Sequence, residues 1–260
     1  MNYIQINKLS VLHDAQNIFF CKTDYLLEDF NIISKLDNEV VLISGNSDFN
    51  ITDEIVSKMP NNIKAWYAQN ALANNSKVHP LPIGLENKEA SARMNHGIGW
   101  GDRVIQKEKA IETIQDSKPT KFIYANFNID TNLSHRTPIK NLVQNQKHIT
   151  WKNPNLNLID FYEDIFDHEM ILCPAGNGLD THRLWEVLYC CRIPITIKTG
   201  NYKIYELYKN LPIIILENME QLLDEQYILD RYRLIKNTNY DKKILNINYW
   251  KEVINNAKNK

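Results

Sequence analysis

At 260 residues the chain is long enough for one large domain or two smaller ones, each burying a core of its own. Hydrophobic residues at 43% and charged residues at 23% exclude a disordered or low-complexity chain. With 30 basic against 31 acidic side chains, no strong field draws it toward nucleic acid or anionic lipid, so no nucleic-acid partner is expected.

The opening "MNYIQINKLSVLHDAQNIFF" has no basic start leading into an apolar run, and no window approaches 18 uninterrupted apolar residues. The expectation is a cytoplasmic protein without a transmembrane segment, with peripheral membrane contact left open. Then "NIFFCK" reads as a strand, "DYLLEDFNIISKL" as a helix, "EVVLISG" as a strand and "ITDEIVSKM" as a helix, followed by strands at "IKAWYAQ" and "VHPLPIG". The charged stretch "VIQKEKAIETIQDSKPT" breaks this rhythm, and "KFIYANF" starts a second series. That series runs through helix "IKNLVQN", strand "HITW", helix "LIDFYEDIF" and strand "EMILCPAG", then "IPITI", "YKIYELYKN", "PIIILEN" and "MEQLLDEQY".

Alternating strands and helices predict an α/β protein with two Rossmann-like lobes facing a cleft. The expected division is a first lobe over residues 1–105, a linker over 106–119 and a second lobe over 120–260. The terminal helix, in "NINYWKEVINNA", is expected to pack back toward the first lobe. Cys21, Cys173, Cys190 and Cys191 lack a metal-binding C-x-x-C spacing, and an adjacent pair suits no framework disulfide, so they read as free thiols.

The most informative stretch is "CPAGNGLDTHRLWEVLYCCRIPIT", residues 173 to 196. On a helical wheel Leu184, Val187, Leu188 and Cys191 share one side, while His182, Arg183 and Glu186 share the other. Gly176, Asn177 and Gly178 form a loop where the backbone turns or approaches a ligand, and Thr181 starts a helix whose free N–H groups favour phosphate. His182 and Arg183 would add charged donors, and Glu186, one turn on, would accept from ribose hydroxyls. A solvated helix face, with Asp180 or Asn177 as a simple N-cap, accounts for the same residues without a ligand.

At Cys173, Pro174, Gly176, Arg183, Glu186, Ile193 and Pro194 the chain resembles the exostosin-like glycosyltransferases of the two-lobed GT-B type. The resemblance covers roughly residues 120 to 220. It implies that Arg183 contacts a donor diphosphate and Glu186 holds its ribose. Gly178 stands where many retaining relatives carry a second glutamate, which leans toward inversion, and Arg192 replaces a usual small residue. In "KFIYANFNIDTNLSHR", Asn126 ends a strand facing the cleft, and Arg136 is a second candidate for a phosphate contact.

An inverting transfer needs a base to take the acceptor proton. Asp48, after the strand "LISG", is one candidate base, although it could equally cap the next helix; Glu86, in "HPLPIGLEN", is the other. Trp66, Tyr67 and Asn70 could contact a sugar or simply pack. The loop "MNHGIGWGD" holds three of the eight glycines and reads as mobile. No Asp-x-Asp is present to hold a metal at the diphosphate, so metal-independent binding of a nucleotide-diphosphate sugar, with a uridine nucleotide as a candidate, is expected and no other cofactor. The functional expectation is a glycosyltransferase acting on a glycan or other hydroxyl acceptor. The alternative is a catalytically silent protein that binds nucleotide sugars.

Overall fold

The computed structural model describes residues 2–113 and 118–259. Two parallel sheets are present, of four and five strands. The first contains β1 (Ile18–Lys22), β2 (Val40–Gly45), β3 (Ile63–Ala68) and β4 (Val78–Pro80) in simple sequential order, with α1 (Leu26–Ile33) and the short α2 (Asp53–Val56) between strands. After α3 (Asp102–Thr113) comes the second sheet, formed by β5 (Lys121–Ala125), β6 (Ile149–Trp151), β7 (His168–Leu172), β8 (Ile193–Ile197) and β9 (Ile214–Leu216). Its helices are α4 (Leu133–Val143), α5 (Leu158–Asp167), α6 (His182–Tyr189), α7 (Ile204–Tyr208) and α8 (Glu225–Lys236), and α9 (Ile247–Asn259) ends the chain.

The second sheet has the order β6-β5-β7-β8-β9. The chain therefore leaves β5 toward one edge and returns at β7 to build toward the other. Where the order reverses, the loops after β5 and β7 diverge and open a crevice at the strands' carboxyl ends. The first sheet has no reversal.

Strands β2 and β8 are buried along their whole length, as the inner strands of a sheet covered on both faces require. The period of two divides the residues between two cores: Val41 and Ile43 of β2 face the space between the lobes, and Val40 and Leu42 face the outer helices. Tyr124 and Ile171 of the second sheet join the same central core, whereas Ile123, Ala125, Met170 and Leu172 face outward. The lobes are thus joined by continuous apolar packing.

Ile247, Trp250 and Ile254, spaced three and four apart, lay one face of α9 into that shared core. The Ile247 N–H donates to Asn2 O at 3.1 Å and Lys258 Nζ pairs with Asp14 at 2.9 Å, so the terminal helix does pack back against the first lobe. Of the stretch read as a linker, residues 106–113 belong to α3, and residues 114–117 lie outside the described residues. The segment "MEQLLDEQY" is split, with a 3-10 turn over Met219–Leu223 before α8 begins at Glu225. No helix among the described residues is long and apolar enough to cross a membrane.

Candidate functional site: a basic crevice beside an amide-lined cavity

Helix α6 is buried on nearly every side, because both lobes pack on it. Trp185 is fully buried, and Tyr189 accepts from the Ile4 N–H at 2.9 Å while donating to Leu245 O at 3.0 Å. Cys191 does not join the apolar stripe expected of it: the helix ends at Tyr189, and Cys191 is exposed, turning the chain in a left-handed conformation (φ 55°). Asp180, just before the helix, is buried and accepts from the Ile83 N–H at 2.8 Å, Trp185 Nε1 at 2.8 Å and Tyr208 OH at 2.6 Å. It is therefore a junction of the fold and not a helix cap. The N-cap is Thr181, which is extended and makes no side-chain capping bond.

A cavity of about 530 Å³ opens at the carboxyl ends of β5 and β7, the point where the strand order reverses. Its wall contains Asn126, Arg136, His182, Arg183 and Glu186 from the second lobe, Glu86 from the first, and Arg103 and Lys107 from α3. Four cationic side chains against two carboxylates leave a surplus of two positive charges, apart from His182.

Arg183 is fixed from three directions. Its guanidinium lies 3.9 Å from the Phe161 ring centroid, Nη1 donates to Asn126 O at 2.8 Å, and Nε meets Glu186 Oε2 at 3.3 Å. Arg136 donates to Pro174 O, Ala175 O and Asn128 O at 3.2, 2.9 and 2.8 Å, and no carboxylate among the described residues pairs with it. Burial, and then the nearby Arg183 charge, bring the Arg136 pKa down to about 10. Two guanidiniums close together without enough counter-charge favour an anion between them.

Glu186 is 3% exposed yet lines this cavity. Its Oε1 takes Lys107 Nζ at 2.5 Å, and Lys107 also pairs with Glu86 Oε1. Burial opposes ionisation of Glu186, but the charges of Lys107 and Arg183 outweigh it and hold the carboxyl below the usual glutamate range. Burial likewise opposes the charge on Lys107, and Glu186 and Glu86 together overcome it and raise its pKa. Lys107 escaped the sequence reading, which took its segment as a linker. The available signal was its place on the buried stripe Val104, Lys107 and Ile111, where a lysine needs a partner.

A second cavity, of about 330 Å³, lies at the strand ends of the first lobe and includes Asn46, Asp48, Gln69, Asn87 and Trp100. Glu86 and His182 belong to the walls of both cavities. Side-chain amides hold the loops here: Asn87 Nδ2 donates to Asn46 Oδ1 at 2.8 Å, and the Asn46 N–H donates to Gln69 Oε1 at 2.9 Å. Trp100 is half exposed, whereas Trp66 and Tyr67 are buried within β3, so the tryptophan that reaches this cavity is one the sequence reading passed over.

The glycine-bearing loop around it, read as mobile, is pinned: Asn7 Nδ2 donates to Ile98 O at 2.9 Å, and Asn46 Nδ2 to His96 O at 2.8 Å. His96 itself is buried and its Nδ1 accepts from the Lys22 N–H at 2.9 Å. With Cys21 and Asp29 it forms the one group among the described residues spaced for a metal ion. The fit is poor, because Asp29 already holds Arg93 through both oxygens at 2.5 and 2.7 Å.

Eight of the nine predicted nucleotide-binding residues thus fall in two places. Asn126, Arg136, His182, Arg183 and Glu186 meet in the larger cavity, although His182 Nδ1 already bonds Gly84 O at 2.8 Å. Gly176, Asn177 and Gly178 line a separate hollow with Asn132 and Tyr202, and Thr181 borders neither cavity. Arg136 lies between, under the Pro174–Ala175 carbonyls. A Cβ on Gly178 would come within 2.6 Å of Asn70 Nδ2, so tight packing accounts for this glycine. Among the candidate bases, Asp48 is exposed and accepts from Asn177 Nδ2 at 3.1 Å, while Glu86 sits at the boundary between the cavities with a buried Oε2 that has no partner among the described residues. Compared with known proteins, the chain matches no family model and no curated relative.

Proposed function

We propose that this protein is a glycosyltransferase that moves a sugar from a nucleotide-diphosphate sugar to a hydroxyl of a glycan or another acceptor. The observation that carries this reading is the surplus of positive charge at the switch-point crevice, where Arg136 and Arg183 converge beside a fixed carboxylate. A diphosphate satisfies the guanidiniums, and a ribose diol satisfies Glu186. Two adjoining cavities sharing Glu86 and His182 supply the second requirement of a transfer reaction, a place for the acceptor next to the donor.

In this reading the acceptor occupies the amide-lined cavity, with Trp100 as a face for a sugar ring. Its hydroxyl attacks the anomeric carbon from the side opposite the leaving diphosphate, so the configuration inverts. The hydroxyl proton passes to Glu86, and the negative charge growing on the diphosphate is stabilised by Arg136 and Arg183, which bring the positive charge a metal would otherwise supply. Glu86 is preferred to Asp48 because it borders both cavities. A cytoplasmic site of action belongs to the same reading, supported by four thiols free of disulfides.

The test is a panel of nucleotide sugars screened by thermal shift, followed by a transfer assay with the one that binds. Binding with turnover supports the proposal. Binding that Arg183→Ala removes, without turnover on any hydroxyl acceptor, would favour the silent binding protein. Absence of binding by every nucleotide sugar defeats both.

A further inference from the structure

Glu186 is approached by two cations at once, and one of them comes from outside the lobe that carries it. Lys107, on α3, is 6% exposed and reaches Glu186 Oε1 at 2.5 Å, while Arg183 Nε reaches Oε2 at 3.3 Å. The same ammonium bonds Glu86, across the boundary between the two cavities. Resting on the donor reading above, we propose that Lys107 is a positioning residue that fixes Glu186 as a pure hydrogen-bond acceptor and so makes the crevice selective for nucleotides with an intact ribose diol.

A carboxylate has two oxygens and about four lone-pair sites. With one site on each oxygen taken by Lys107 and Arg183, each oxygen keeps one to offer, and the group cannot rotate without breaking a charged hydrogen bond. Two adjacent hydroxyls match that arrangement because both can donate. A sugar lacking one of them leaves a desolvated lone pair without a donor, and a mismatch of this kind discriminates strongly in a buried site. Were Lys107 lost, Glu186 would be held from one side only. It could then turn toward Arg183 or take up a proton and become a donor, and either change blunts its reading of hydroxyls.

A lysine that merely staples the lobes would alter stability without altering ligand preference, and the two roles separate by titration calorimetry. The probes are UDP, GDP, ADP and CDP, each measured against its 2′-deoxy counterpart. The best-binding nucleotide is expected to exceed its deoxy form by about tenfold or more in the unmodified protein, as the loss of one hydrogen bond to a charged group implies. In Lys107→Met the ratio should fall to about twofold or less while diphosphate binding persists, and Lys107→Arg should recover part of it. Should Lys107→Met fail to fold, Lys107→Met combined with Glu86→Gln removes the part-buried charge that Lys107 pairs with, and is expected to show the same loss. A ratio unchanged in the methionine variants, or absent from the unmodified protein, overturns the role given to Lys107 and leaves the donor site standing. If none of the four nucleotides binds, the donor reading itself fails.

Discussion

The guanidinium carbon of Arg183 sits 3.9 Å from the ring centroid of Phe161, so a charge at the mouth of the crevice is seated on the apolar surface of α5. This contact, with the bonds to Asn126 O and Glu186, leaves the guanidinium little freedom before any ligand arrives. A side chain ordered in advance loses less entropy on binding.

Arg183→Lys keeps the charge but loses the planar fork and the stacked contact. Nucleoside diphosphate affinity should drop about tenfold or more, since a stacked, planar guanidinium is not matched by an ammonium. Calorimetry on the two proteins measures this, and equal affinities would remove Arg183 from the phosphate site.

Glu86 and Asp48 separate by rate. If Glu86 takes the acceptor proton, Glu86→Gln should slow transfer by about 10²- to 10⁴-fold while nucleotide binding is retained. Asp48→Asn should leave turnover within about threefold, because the exposed Asp48 borders only the acceptor cavity. Steady-state kinetics with a saturating donor decides between them, and the reverse pattern would move the base to Asp48.

Asp180 holds together Ile83 of the first lobe, Trp185 of α6 and Tyr208 of α7. Asp180→Ala strands three buried donors at once, and a loss of about 3 kcal/mol or more is expected in urea unfolding. A variant as stable as the parent would show that these donors find other partners.

Part of the acid sensitivity should trace to Glu186. Its carboxyl in the fold titrates below the ordinary glutamate value of 4.5, burial notwithstanding, because Lys107 and Arg183 favour the charged form. On acidification the unfolded chain therefore binds its proton first. The stability linked to this group is present above pH 4.5 and is lost as pH falls through the folded-state value. Denaturant midpoints measured from neutral pH into this acid range should fall less steeply for Glu186→Gln than for the parent. Parallel profiles would mean that Glu186 does not contribute to the slope.

The alternation of apolar runs with helical periodicity was sufficient to identify two parallel α/β layers, since strands covered on both faces read as near-continuous apolar runs. The motif from Cys173 to Pro194 was equally legible as a strand end, loop, helix and strand, and three of its polar residues, His182, Arg183 and Glu186, do meet at one cavity. Helical spacing alone puts them on one side.

What packs opposite them was decided by the tertiary structure. Lys107 lies 79 residues from Glu186, and Phe161 is on a different helix from Arg183, so no local pattern relates either pair. The course of the loop at Gly176–Gly178, away from the larger cavity, follows from Arg136 beneath the preceding Pro174 and Ala175 carbonyls and Asn70 against Gly178. Local sequence determines which face of an element is polar. The partner that meets that face depends on how two sheets, a connecting helix and the terminal helix close on one core, and that is set by packing between residues far apart in the chain.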